Sequence, residues 1–272
     1  EFTIGEVFMK RIAQLARRSR LAAAVAVLSA GILAGAAYAT PSTTYWTPAT
    51  TDVQPYGVWH ITYDSYFTVF RKADRGAGDF PTDVGLTVGV LPFEKIQMEV
   101  GVDLLEPSDD PLFFNAKIGT PEGALFPGSP ALNLGIFNAG TQRSRDRTRT
   151  DQNIGFALAG KTIPVLGRLF AGYYVGNAAV LKSSKGDTEN HGFLVGFDHG
   201  FLPVKDRAGD EFNRVVLAAD YASGKNSFGG GGVGLYYYFT RNIDLLTGPV
   251  WFNDEGINGK WKWTVQLDMN LP

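Results

Sequence analysis

Residues Lys260 to Leu271 read KWKWTVQLDMNL, and every second side chain is apolar: Trp261, Trp263, Val265, Leu267, Met269 and Leu271. Between them stand Lys260, Lys262, Thr264, Gln266, Asp268 and Asn270. Alternation of this kind gives an extended strand one apolar face and one polar face. The pattern recurs along the chain in runs of about ten residues broken by turn chemistry. No stretch keeps a clean 3.6-residue period, so helices are not expected to build this fold.

Twelve such runs are expected. The first is Tyr56 to Phe70, with Trp59, Ile61, Tyr63, Phe67 and Val69 on one face and His60, Thr62 and Asp64 on the other. Runs two and three carry Val84 to Val90 and Ile96 to Leu104. The fourth is Leu112 to Gly119, the fifth centres on Leu132 to Ile136, and the sixth is Asn153 to Thr162. Arg168 to Asn177, His191 to Gly200, Asn213 to Ala222, Phe228 to Thr240 and Ile243 to Phe252 follow, and KWKWTVQLDMNL is the twelfth. The glycines Gly229 to Gly232 lead into GLYYYF, and read as the start of a strand with small inward side chains or a bulge.

The first 39 residues read differently. From Met9 a basic head (MKRIAQLARRSR) precedes an apolar stretch that ends in Ala37-Tyr38-Ala39, the form of a secretory signal peptide cut before Thr40. Leu21 to Ala39 is also long enough to cross a membrane as a helix, but its alanine and glycine content and its cleavage-type ending favour the signal peptide. The expected organisation is an upstream extension (1–8), a signal peptide (9–39), a periplasmic N-terminal lead (40–55) and one β domain (56–272). The whole chain has a net charge of −2; without residues 1–39 it keeps 20 basic and 25 acidic residues, a charge of −5. That balance argues against nucleic acid as a partner. With no cysteine, the chain has neither disulfides nor a thiolate chemistry.

Alternation alone fits a soluble sandwich or a barrel in a membrane. In the barrel the apolar face meets lipid and the polar face lines the lumen. Three features favour it. The polar face is too polar for a dry core. Strands of about ten residues suit a tilted membrane crossing, whereas globular strands run about five or six. Aromatics also gather at strand ends (Trp59, Tyr66 and Phe67, Phe113 and Phe114, Tyr236 to Phe239, Trp251 and Phe252, Trp261 and Trp263), as in interfacial girdles. A sheet in lipid must close on itself, so the terminal strand is expected to pair with the first.

On these grounds, with the alternating runs from Tyr56 onward and the terminal WKWTVQLDMNL, the chain resembles the porin-like outer-membrane β-barrel proteins of Gram-negative bacteria. The resemblance implies an all-β antiparallel transmembrane barrel of about 12 strands in contact with outer-membrane lipid and lipopolysaccharide, passing small hydrophilic solutes or ions without a cofactor. In that class the terminal strand commonly ends on an aromatic residue that serves assembly; this one ends Leu271-Pro272.

Catalysis finds little support. The chain has three histidines, His60, His191 and His199, no G-x-S-x-G elbow, and no serine at a suggestive distance from any of them. His60 with Asp64 makes two metal ligands at most. FGGGGVG lacks the Lys-Ser/Thr of a phosphate loop. The informative residues are the inward ones: His60, Asp64, Glu99, Asp103, Lys117, Lys161, Arg168, Asp198, Arg214, Asp220, Lys262 and Asp268, with Asp83 and Asp244 on the same reading. Charged rings bias which ions pass; the alternative is a structural or interaction barrel of the outer membrane, its closed lumen filled by salt bridges between these charges. Glu99 and Asp103, four residues apart and so roughly 13 Å along one strand, are the expected carriers of cation preference. Arg143, Arg145, Arg147 and Arg149 in RSRDRTRT read as a solvated loop or as contacts to lipopolysaccharide phosphates.

Overall fold

A computed structural model describes residues 45–70, 72, 82–106 and 109–271. The upstream extension, the signal peptide and its cleavage point, and most of the loop RKADRGAGD lie outside them. Twelve strands form one closed antiparallel barrel: β1 (Trp59–Phe67), β2 (Thr82–Gly89), β3 (Gln97–Glu106), β4 (Leu112–Thr120), β5 (Ala131–Gly140), β6 (Asp151–Ile163), β7 (Gly167–Val175), β8 (His191–Lys205), β9 (Glu211–Ala222), β10 (Gly230–Thr240), β11 (Ile243–Phe252) and β12 (Lys262–Leu271). Each strand pairs with its sequence neighbours, and β12 closes on β1 through Trp59↔Leu271 to Phe67↔Trp263. One helical turn, α1 (Glu255–Asn258), sits between β11 and β12, capped by the Asp254 carboxylate.

The barrel is inside out relative to a soluble protein. Leu134 is 61% exposed, Val195 46% and Leu235 47%, whereas Lys117 is 3% exposed and Asp244 fully buried. A belt of outward apolar side chains around a polar interior needs a non-aqueous surround, because water-soluble monomers do not expose apolar surface on this scale. Most turns at the end where β1 starts and β12 finishes are short, such as Arg241–Asn242, the ten residues between β4 and β5 being the exception; most connections at the other end, the loop end, are longer.

Outward aromatics mark both rims. Phe67 faces Trp263 across β1 and β12, and Tyr173 packs edge-on against Phe193 5.3 Å away, both near the loop end. Trp59, Tyr237 and Phe239 stand near the other rim. The girdle expected from sequence needs correction, however. Phe113, Tyr236 and Phe252 are buried, and Tyr66 and Tyr238 share the inward parity of His60 and Tyr236. An aromatic at a strand end fits a girdle by composition, but strand parity decides whether it meets lipid or lumen.

Candidate functional site

The lumen is occupied by the protein's own N-terminal segment. Residues Tyr45 to Gln54, expected as a periplasmic lead, run inside the barrel, where Tyr45, Thr47, Ala49, Thr50, Thr51, Val53 and Gln54 are all buried. The segment enters at the rim where β1 begins: Gly57 N–H donates to Gly89 O at 2.9 Å, and Gln54 N–H donates to Glu99 at 2.7 Å. Two residues before Gln54, Asp52 receives two hydrogen bonds from Arg168, at 2.5 and 2.8 Å. Towards the loop end, one carboxylate oxygen of Asp220 accepts the backbone N–H groups of Tyr45 (2.6 Å), Trp46 (2.9 Å) and Thr47 (3.0 Å). Gln266 Nε2 donates to Tyr45 O at 3.0 Å, and Trp46 Nε1 to Phe228 O at 2.7 Å. These bonds explain how irregular backbone is tolerated in a membrane-embedded barrel: the anchors are polar lumen side chains and backbone carbonyls of the wall and its loops.

The barrel wall is shaped for this segment. A Cβ on Gly232 would sit 2.7 Å from the Tyr45 Cβ, and one on Gly89 would sit 2.0 Å from Pro55 O. The inward-small reading of Gly229 to Gly232 thus has a structural reason: β10 clears space for Tyr45 and Trp46. An apolar cluster fills the opposite side of the lumen, with Ala49 of the segment packed among Ile154, Phe156, Leu158, Tyr174 and Leu194.

That cluster explains one correction. On β6 the large apolar residues Ile154, Phe156 and Leu158 point inward, and Gly155, Ala157 and Ala159 take the lipid side. Lys161, expected inward, therefore has outward parity. It sits at the rim, its Nζ 2.7 Å from Glu122 and 2.9 Å from Gly128 O. Hydrogen bonds from Lys161, then from Thr162, hold the Glu122 carboxyl down at about 2.

The other inward candidates lie inside, and most are partnered. Lys117 and Glu99 form a buried cross-strand pair at 3.3 Å. Arg168 bridges Asp52 and Asp198, the latter at 2.6 Å. Arg214 donates to Tyr238 O and Phe239 O, both at 2.8 Å. Lys262 Nζ lies 3.4 Å from Thr68 Oγ1. His60 Nε2 is 3.2 Å from Asp268, and its Nδ1 2.8 Å from Asn270 Oδ1. Asp103 accepts from Asn115, and Asp64 from Thr62 at 2.7 Å. Asp244, cross-strand from Asp268, is fully buried, and neither of its oxygens has a partner among the described residues. His191 and His199 lie apart on outward parity, against Tyr173 and Phe201.

Lys117 and Arg168 thus meet carboxylates, whereas Arg214 meets backbone carbonyls and Lys262 a hydroxyl. A cavity of about 170 Å³ opens beside Trp46 near the loop end. It shares Asp64, Asp83 and Phe137 with a second space of about 40 Å³, lined also by His60, Asp103 and Asp268. A third, of about 20 Å³, touches Pro48, Glu99 and Lys117. A space of some 10–15 Å³ holds a water molecule, so the second and third spaces are water-sized. The sequence signalled the lumen charges by parity, but nothing in it signalled Asp52, Trp46 or the Asp220 latch, because the lead shows no alternation.

These features define the class: an outer-membrane β-barrel of porin-like build, with its lumen threaded by its own chain. No protein-family model matches the sequence, and no curated protein does. Solved barrels of similar topology include the KdgM porin (9% identity over 78% of this chain and 98% of that one, TM-score 0.46) and the NanC porin (9% identity, 79% and 98%, TM-score 0.44). A third is an outer membrane channel from Pseudomonas putida F1 (11% identity, 81% and 97%, TM-score 0.42). At these scores the class assignment stands on the barrel's own closure and polarity.

Proposed function

We propose that the protein is a narrow passive channel for small cationic hydrophilic solutes or ions, restricted by its own N-terminal segment. One observation carries the reading: a glycine-cleared, polar-anchored segment lies in a lumen whose spaces among the described residues are lined by carboxylates. The inward set, with Asp52 added by the segment and Lys161 removed to the rim, holds nine carboxylates against the four bases Lys117, Arg168, Arg214 and Lys262. Low-dielectric walls focus that field, so the passage favours cations. With spaces of about 40 and 20 Å³ beside the segment, conduction requires the segment to shift. No reacting group or cofactor takes part.

The Asp220 latch gives the test. Asp220→Ala removes the acceptor of three backbone N–H groups and should raise the fraction of time a single channel spends open in a planar bilayer. Reversal potentials under a potassium chloride gradient should show cation preference. A second reading, a closed barrel that braces the envelope, is favoured by the inward cluster around Ile154, Phe156 and Leu158. It predicts silence in the wild type and in Asp220→Ala alike. For contact with lipopolysaccharide phosphates, Arg147 and Arg149 are paired with Asp110 and Asp151. The exposed Arg143 and Arg145 are left as the residues for that role.

A further inference from the structure

The cavity of about 170 Å³ near the loop end is walled by the rings of Trp46, Tyr66, Phe137 and Phe228 and by the carboxylates of Asp64 and Asp83. We infer that it is a binding site for a small organic ammonium ion, deepening the proposed function by naming its solute class.

Three observations converge. Asp64 and Asp83 are direct cross-strand partners on the inward face of β1 and β2. Like charges placed opposite one another destabilise a sheet unless something positive lies between or beside them. Asp83 Oδ1 is buried with no hydrogen-bond partner among the described residues. The sheet thus presents a pair of facing carboxyl groups to a cavity that no basic side chain lines among the described residues.

The second observation is the rings. Trp46 and Tyr66 meet edge to face at 5.8 Å, and Phe137 and Phe228 lie 6.0 Å apart. Aromatic faces attract a cation through their quadrupoles, and several rings around one site recognise alkylated ammonium groups over simple hydrated ions. The combination selects a cation with apolar flanks. A metal ion would want several oxygens in a shell, and no group of three such ligands is placed to hold one among the described residues.

The third is size and construction. A cavity of about 150 Å³ holds benzene, so this one takes an ammonium ion of a few carbons. One wall, Trp46, comes from the N-terminal segment and is fixed by its hydrogen bond to Phe228 O and by edge contact with Phe252 at 5.1 Å. The site is complete only while the segment is in place, so a bound ammonium favours the threaded state.

The test is calorimetric titration of the detergent-folded full chain with tetramethylammonium chloride. The uncharged alcohol 2,2-dimethylpropan-1-ol, of similar shape, serves as control. Saturable binding of the ammonium without binding of the alcohol is expected. Asp83→Asn and, separately, Phe137→Leu should each weaken it by about tenfold, with heat-modifiable gel mobility showing that both variants fold. Potassium chloride at the same concentration should not displace it. Absence of binding, equal binding of the alcohol, displacement by potassium, or unchanged binding in folded Asp83→Asn would each overturn the inference. The readout needs no conduction. A barrel that binds tetramethylammonium but is silent in a bilayer refutes the channel and keeps the site; one that conducts but does not bind refutes the site alone.

Discussion

At the scale of single residues, Gly232 and Glu99 show how closely wall and segment are matched. A side chain on Gly232 would meet the Tyr45 ring and its Cβ at once. Gly232→Val should therefore expel the upper part of the segment while leaving the barrel, and limited proteolysis of folded protein should cut near Tyr45 in the variant only. Glu99 was legible from its alternation as an inward acid, but its partners were not. It is neutralised by Lys117 and also accepts the Gln54 N–H, so it does not carry free charge as its spacing from Asp103 suggested. Glu99→Gln removes the carboxylate nearest a buried lysine, a loss of about 3–5 kcal/mol for pairs of this kind. The double variant Glu99→Gln, Lys117→Met should recover much of it. Urea midpoints of the three proteins check this; a stable single variant would mean that Lys117 is solvated.

At the scale of elements, strand identity, order and closure were legible, because period 2 is a local signal and a sheet in lipid has few ways to end. β1, β3, β9 and β12 follow their expected parity. β6 does not: its apolar residues Ile154, Phe156 and Leu158 answer to the segment inside, and hydropathy cannot tell lipid from a buried apolar plug. The same ambiguity turned Tyr66 and Phe113 from girdle to lumen. The lead from Tyr45 to Gln54 was not legible, since its contacts reach residues more than forty positions away, such as Glu99, Arg168 and Asp220. On β3, Val100 faces outward and Gln97 shares the inward parity of Glu99. Val100→Arg should reduce folding yield into lipid vesicles sharply, since a charge there costs about 2–4 kcal/mol near the midplane. Gln97→Arg should fold almost as wild type. Equal yields would mean that the β3 register is inverted.

At the scale of the whole molecule, a closed barrel with a lipid-facing belt, a carboxylate-rich interior and an internal segment is, on the proposed reading, a channel that carries its own obstruction. In the proposed channel, cation preference should come from the carboxyl groups that form no ion pair among the described residues, Asp64, Asp83 and Asp103, and much less from Glu99. Asp83→Asn with Asp103→Asn should therefore move the reversal potential toward zero, and Glu99→Gln should move it little. The most direct measurement compares single-channel currents of the full chain and of a chain lacking residues 45–54, in planar bilayers under a potassium chloride gradient. Brief, small, cation-preferring openings are expected for the full chain and sustained, larger ones for the shortened chain. Equal conductance in the two, or silence from a shortened chain that still folds, would contradict the proposed function.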